Sequence, residues 1–202
     1  MSGSLGVILA GGLATRMGGR DKGALPLGSS TLLSHVIDRL TPQVDGIALN
    51  ANGDGSRFAH LGFPVIADSI NGFAGPLAGV LAGLDWAAKQ GATSIVTAAV
   101  DTPFFPSDSA VRLHREGEGM AHPLVIAATP DPKRRTSRHP TFGLWPVALR
   151  EDLRAALLGG VRKVVQWTDS HDGRLAMLPV DQVDPFFNVN TPEDLAQAEA
   201  ML

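Results

Sequence analysis

Short apolar runs without strict alternation recur along the first half of this chain, and each leads into a polar turn or a helical pattern. They are Leu5–Ala10 (LGVILA), Val44–Asn50 (VDGIALN), Phe63–Ala67 (FPVIA) and Ser94–Val100 (SIVTAAV). A strand with one face in water alternates apolar and polar residues, whereas a strand covered on both faces stays apolar throughout. Helical spacing fills the gaps. Leu32, Leu33, Val36, Ile37 and Leu40 share one side of a helix expected over Thr31–Leu40, with Ser30 as its candidate N-cap. Pro76 opens a second helix through Lys89, with Leu77, Val80, Leu81 and Leu84 inward and Gly91 as the stop. A further helix is expected over Asp108–Arg115. Strand–helix repetition of this kind implies an α/β fold, Rossmann-like and doubly wound, around a mostly parallel sheet.

Residues 120–185 break the rhythm. Leu124–Ala128 and Thr141–Trp145 read as two strands joined by a polar, basic loop, Pro130–Arg138, and imply a small hairpin-containing lobe. Helices are expected over Val147–Leu158, Val161–Trp167 and Thr191–Leu202, with Thr191 as N-cap, Pro192 at N1 and Asp194 closing a capping box. The length of 202 residues suits a single domain spanning 1–202.

Composition removes several chemistries. The absence of cysteine excludes disulfides, thiolate nucleophiles and Cys-ligated metals. A formal charge of −3 without a basic tract argues against a nucleic-acid partner. The apolar runs fall short of the roughly 18 residues of a membrane helix, so no membrane role and a cytoplasmic location are expected. An anionic ligand would have to be held by a few well-placed cations.

The loop Leu9–Gly23 (LAGGLATRMGGRDKG) supplies both glycines and cations. Glycine lets backbone N–H groups approach a ligand closely, and Arg16 and Lys22 follow in the same loop, a combination suited to a polyphosphate. The loop is neither a Walker A sequence nor a G-x-G-x-x-G fingerprint. Asn50, Asp68 and Asp101 end successive strand candidates, where open α/β sheets bind ligands. A strand-end carboxylate beside a phosphate loop suits Mg²⁺, which takes one or two carboxylates plus phosphate and water oxygens. Asn188 and Asn190 face one way if their stretch is extended. Lys133, Arg134, Arg135, Arg138 and His139 form the dense basic cluster, and Trp86, Trp145 and Trp167 read as packing residues.

These segments resemble the MobA family of molybdenum cofactor guanylyltransferases. The resemblance is carried by Leu9-Ala10-Gly11-Gly12, Arg16-Met17-Gly18-Gly19, Asp21-Lys22, Asn50-Ala51-Asn52, Asp68, Gly75-Pro76-Leu77-Ala78-Gly79, Asp101-Thr102-Pro103, His139-Pro140-Thr141 and Asn188 through Leu195. It implies a nucleotide-diphospho-sugar transferase-like fold with a GTP-binding half, about 1–115, and an acceptor-binding half, about 116–202. It implies Mg²⁺-dependent transfer of GMP from GTP to Mo-molybdopterin, with Arg16, Lys22 and Asp101 catalytic and Asp101 on the metal. Leu9, Ala10, Gly11, Gly12, Lys22, Asn50, Asp68, Gly75, Pro76, Leu77 and Asp101 would hold the nucleotide. Arg138, His139, Asn188 and Asn190 would meet the acceptor. Proteins that insert the finished cofactor are the further partners implied. Gly53, at a position often basic in the family, is a departure. A CTP-using cytidylyltransferase, a sugar-1-phosphate nucleotidyltransferase and a non-catalytic delivery protein are the alternatives.

Overall fold

The computed structural model describes residues 3–11, 13–14, 20–70, 72, 75–181 and 183–202, without the side chains of 13, 14 and 20. Seven strands form the central sheet: β1 (Leu5–Leu9), β2 (Ile47–Asn50), β3 (Val65–Ile66), β4 (Ser94–Ala99), β5 (Val125–Asp131), β6 (Arg135–Pro146) and β7 (Arg174–Met177). Their order across the sheet is β3-β2-β1-β4-β6-β5-β7. Only β6 runs antiparallel to its neighbours, β4 and β5; the remaining pairs are parallel. Two short ribbons, Leu13–Ala14 with Arg20–Asp21 and Pro26–Leu27 with Ser30–Thr31, follow β1.

Among the described residues, α1 (Leu32–Leu40), α2 (Pro76–Lys89), α3 (Ser109–Glu116), α4 (Arg150–Leu158) and α5 (Val164–Asp169) cover the sheet, and α6 (Pro192–Glu199) packs on the Pro26–Leu27 ribbon. The two faces separate residue by residue, as a period of two demands. Ile8 and Val96 pack with Leu33, Val36 and Leu40 of α1 and Leu113 of α3. Val7 and Ile95, one position earlier on each strand, pack with Leu81 and Leu84 of α2, Leu153 of α4 and Trp167 of α5. That two-sided burial is why the strands read as unbroken apolar runs. No helix of the described residues is long and apolar enough to cross a membrane.

A third cluster fixes the C-terminal segment. Leu25, Leu27 and Leu32 pack against Val189 and Ala198. Val189 is fully buried, and burying one such side chain is worth about 1.5–3 kcal/mol. The capping box at the start of α6 is present, with Thr191 accepting from Asp194 N–H and the Asp194 carboxylate accepting from Thr191 N–H. Asn188 and Asn190 therefore sit on either side of a core anchor, in a segment whose direction is fixed.

Several boundaries differ from the expectation. α2 spans the expected residues, but the N-cap of α1 is Thr31, which accepts from Ser34 N–H at 3.2 Å, and Ser30 belongs to the preceding ribbon. The basic stretch 130–138 is a continuation of β5 and β6, closed by a tight turn in which Asp131 accepts from Lys133 and Arg134 N–H. The pairing of a polar run through its backbone leaves no apolar pattern to read. A register shift between His139 and Gly143 interrupts the hairpin. Val147–Leu149 is a 3₁₀ turn before α4, α5 begins at Val164, and β7 was not anticipated. Trp145 and Trp167 lie in the core, Trp145 donating from Nε1 to Thr97 Oγ1 at 2.9 Å.

Candidate active site

Strand register brings the polar strand ends to one edge. Leu9 pairs with Asn50 on one side and with Ala99 on the other. Beyond that level Ala10 N–H donates to Asn50 O and Val100 N–H donates to Leu9 O. The carboxyl ends of β1, β2 and β4 thus meet where the strand order reverses, the crevice in which open α/β sheets bind ligands. Gly11, Asn50 and Asp101 stand at these strand ends, Asn50 buried and Asp101 partly exposed.

At its centre stands a pair. Lys22 Nζ lies 2.7 Å from Asp101 Oδ2 and donates to Asn190 Oδ1 at 2.6 Å. The Lys22 side chain is 10% exposed and that of Asp101 24%. A nearly buried ammonium requires such partners, because an isolated buried charge is far costlier than a paired one. Asp21 accepts from Gly23 N–H at 3.0 Å and so caps the turn 22–24 that carries Lys22. Thr102 Oγ1 donates to Asn188 Oδ1 at 2.8 Å and lies 3.2 Å from Asp101 Oδ1. Val189 N–H donates to Asp101 O. The C-terminal segment therefore braces the Asp101 turn through its backbone and both asparagines.

At one end of the crevice Asp68 is gripped by two carboxamides. Asn50 Nδ2 donates to Asp68 Oδ1 at 3.0 Å and to Ile66 O at 3.2 Å; Asn52 Nδ2 donates to Asp68 Oδ2 at 2.8 Å. Asp68 N–H returns a bond to Asn52 Oδ1. The α2 helix approaches Asn50 so closely that a Cβ on Gly79 would sit 2.3 Å from Asn50 Oδ1. Gly75, at φ 143°, turns the chain into α2 in a conformation that glycine tolerates. Leu77 and Ala10 are buried in the core, so they offer a ligand backbone groups only.

At the other end lies a small cleft of about 100 Å³ lined by Thr102, His139, Pro140, Thr141, Phe186 and Asn188, among others. His139 stacks on Phe186 with ring centroids 3.9 Å apart, and its Nε2 shares a hydrogen bond with Thr129 Oγ1 at 2.9 Å. Arg138 also lines the cleft, its Nη1 donating to Asp169 Oδ1 at the end of α5. Both basic residues expected at the acceptor therefore border one cleft, each with its own hydrogen-bond partner.

Burial lowers the His139 pKa to about 4 against a weaker opposing pull from Asp184. The imidazole is therefore neutral at pH 7. The unfolded chain binds the extra proton below about 6.5, so this group's contribution to stability is intact above that pH and is lost as pH falls toward 4. The melting temperature of His139→Gln is expected to fall less steeply than that of the wild type between pH 6.5 and 4. Parallel slopes in a pH series of melting curves would contradict the assignment.

The expected residues Lys22, Asn50, Asp68, Asp101, Asn188 and Asn190 converge. Gly12 and Arg16, with Met17, Gly18 and Gly19, lie outside the described residues. Sequence reasoning omitted Asn52, Thr102, Asp21 and Arg57 from the site. The i, i+2 spacing of Asn50 and Asn52 was the available signal for the first, and adjacency to Asp101 for the second.

The crevice lies at the switch point of a 3-2-1-4 parallel core, with a lysine held against a strand-end aspartate, and the family match makes the protein a nucleotidyltransferase. The sequence matches the MobA-like NTP transferase domain over residues 6–198. The chain belongs to that family. A molybdenum cofactor guanylyltransferase of Rhodopseudomonas palustris (strain BisB5) is 50% identical over 196 residues, covering 96% of this chain and 91% of the relative. Among solved structures, molybdopterin-guanine dinucleotide biosynthesis protein A of Archaeoglobus fulgidus superposes with a TM-score of 0.71 at 24% identity, covering 98% of this chain and 97% of that one. The 4-diphosphocytidyl-2C-methyl-D-erythritol synthase of Anaerococcus prevotii shares the fold with a TM-score of 0.76 at 14% identity, over 99% and 96% of the two chains.

Proposed function

We propose that this protein is a cytoplasmic, Mg²⁺-dependent guanylyltransferase that transfers GMP from GTP to Mo-molybdopterin, giving the guanine dinucleotide form of the cofactor and pyrophosphate. The observation that carries the reading is the Lys22–Asp101 pair, set between the Asn50–Asn52–Asp68 cluster and the His139–Asn188 cleft. A nucleoside at the first end and an acceptor at the second would place the phosphates at the pair. The relatives' high identity over nearly the whole chain supports GTP and the molybdenum cofactor as substrates. We read residues 1–115 as the nucleotide half and 116–202 as the acceptor half of one domain, with cofactor-insertion proteins receiving the product.

The donor set fits magnesium held jointly with a nucleotide. Among the described residues no three His, Cys, Asp or Glu side chains converge as a metal cage. Asp101 instead offers one partly exposed carboxylate, and Mg²⁺ ordinarily takes its remaining ligands from phosphate and water. When bound, the ion supplies charge neutralisation at the phosphates.

The chain's own residues do the rest. Asp68, an acceptor held rigid by Asn50 and Asn52, suits a donor group of the nucleoside. Lys22 would offset charge on the attacked and departing phosphates. A terminal phosphate oxygen of the acceptor attacks the α-phosphorus; the bond to the bridging oxygen breaks, and pyrophosphate leaves with the electron pair. The nucleophile is already anionic, so a general base is unnecessary and positioning carries the rate.

Pyrophosphate release with Mo-molybdopterin and each of the four nucleoside triphosphates tests the proposal. GTP is expected to exceed CTP by about 10²-fold or more in kcat/KM, a ratio within reach of hydrogen-bond discrimination. Preference for CTP would make the protein a cytidylyltransferase. Release with none of the four would leave a nucleotide-binding delivery protein.

A further inference from the structure

Arg57 lies in none of the motifs above, in a 3₁₀ turn over Gly55–Leu61. Its guanidinium nevertheless joins the two ends of the nucleotide site. Nε donates to Asp21 Oδ2 at 2.7 Å, Nη2 donates to Asn52 O at 3.2 Å, and Nη1 donates to Asp54 O. Its Cζ sits 4.5 Å from the ring centroid of buried Phe58. The other oxygen of Asp21 caps the turn that carries Lys22, and the side chain of Asn52 grips Asp68. One planar fork, oriented on an aromatic face, therefore contacts both the segment that aims Lys22 and the segment that aims Asp68.

We propose that Arg57 is a positioning residue that sets the distance between the phosphate end and the nucleoside end of the site. This rests on the reading that Lys22 meets the phosphates of GTP. Arginine suits the task because its donors are spread in a fixed fork, so three acceptors on two segments are held in one geometry. A lysine would carry the charge but could not span the acceptors. An ordinary exposed ion pair contributes little to stability, so a purely structural Arg57–Asp21 pair would leave turnover almost unchanged. A cavity of about 260 Å³ behind the turn, lined in part by Asp21, Gly23, Thr31, Ser34, Arg57 and Phe58, gives a small solute access to the same carboxylate.

The test uses the full chain with GTP and Mo-molybdopterin. Arg57→Ala is expected to lower kcat by about 10–10²-fold, the scale of a misplacement near 1 Å, with a melting temperature close to that of the control Arg112→Ala. The Arg112 side chain pairs with Asp108 at the surface, away from the Lys22 and Asp68 segments. Methylguanidine should restore turnover saturably in Arg57→Ala, and Arg57→Lys should recover only part of it. Asp21→Asn should lose a similar factor, with the double variant no worse than either single one. Hydrogen exchange gives a readout independent of turnover: amides in 21–25 and in 66–69 should both exchange faster in Arg57→Ala. Wild-type kcat in Arg57→Ala, absence of methylguanidine rescue, or faster exchange in one segment alone would overturn the proposal. Absence of transfer in the wild type, with exchange changed in both segments, would instead count against the guanylyltransferase reading.

Discussion

Asp101→Ala is expected to abolish magnesium-dependent transfer while leaving a folded protein. The carboxylate is the strand-end oxygen donor at the crevice centre, and its neighbours are hydrogen-bonding groups rather than alternative metal ligands: Lys22, Thr102 and, through the backbone, Val189. Losing one preorganised electrostatic contact costs about 10²–10³ in rate, and loss of the carboxylate proposed to hold the metal should reach at least the upper end of that range. Stability will fall too, because Lys22 keeps Asn190 but loses its counter-charge in a site where its side chain is 10% exposed. Removing one partner of a buried ion pair costs about 3–5 kcal/mol; the Asn190 bond that Lys22 keeps lessens this, and it stays below the roughly 5–15 kcal/mol by which domains are stable. Asp101→Asn separates the two effects. It keeps a hydrogen-bonding group beside Thr102 but offers a neutral oxygen to the metal, so it should melt closer to the wild type and transfer as poorly as alanine. Steady-state pyrophosphate release and calorimetric melting curves on the three proteins check this. Near-normal turnover in either variant would remove Asp101 from the metal site.

The site was legible in the sequence to the extent that strand ends were. Leu9, Asn50 and Ala99 lie at one level because parallel register aligns the ends of buried strands, and buried parallel strands announce themselves as apolar runs. The Pro76–Lys89 helix was readable from proline at N1 and the following periodicity. Contacts distant along the chain were not. Lys22 and Asn190 meet across 168 residues, and nothing local in either segment encodes that bond. It follows from Val189 entering a cluster with Leu25 and Leu27, a packing choice visible only in three dimensions. The β5–β6 hairpin looked like a basic loop because its outer part pairs through the backbone while its side chains stay polar. β7 is four residues with one buried side chain, too short to show a period. Arg57 sits in a 3₁₀ turn with no hydrophobic periodicity, and its importance depends on which two segments its fork spans.

Lys22→Ala should separate binding of the metal from use of the nucleotide. In the wild type the ammonium sits on Asp101 Oδ2, one of the two oxygens of the carboxylate proposed to hold Mg²⁺. Lysine and metal would then share one carboxylate until a triphosphate provides oxygens for both. Phosphate oxygens are the better destination for the ammonium, since they carry charge that grows on the departing pyrophosphate. Removing Lys22 eliminates the competitor but also the cation that meets that charge. Two opposite changes are then expected in one variant. Mn²⁺ binding to the nucleotide-free protein, followed by electron paramagnetic resonance, should become tighter than in the wild type. Transfer from GTP should fall by about 10²–10³ in kcat/KM, with a melting temperature lowered far less than such a loss of function would imply. Lys22→Arg tests whether charge alone suffices. The pocket holds a compact ammonium between Asp101 and Asn190 at 2.7 and 2.6 Å, and the larger planar guanidinium cannot take that place without displacing one of them. It should fail to restore turnover. If Lys22→Ala bound Mn²⁺ no more tightly and kept wild-type kinetics, the pair would be an ordinary buried ion pair and the phosphates would have to lie elsewhere.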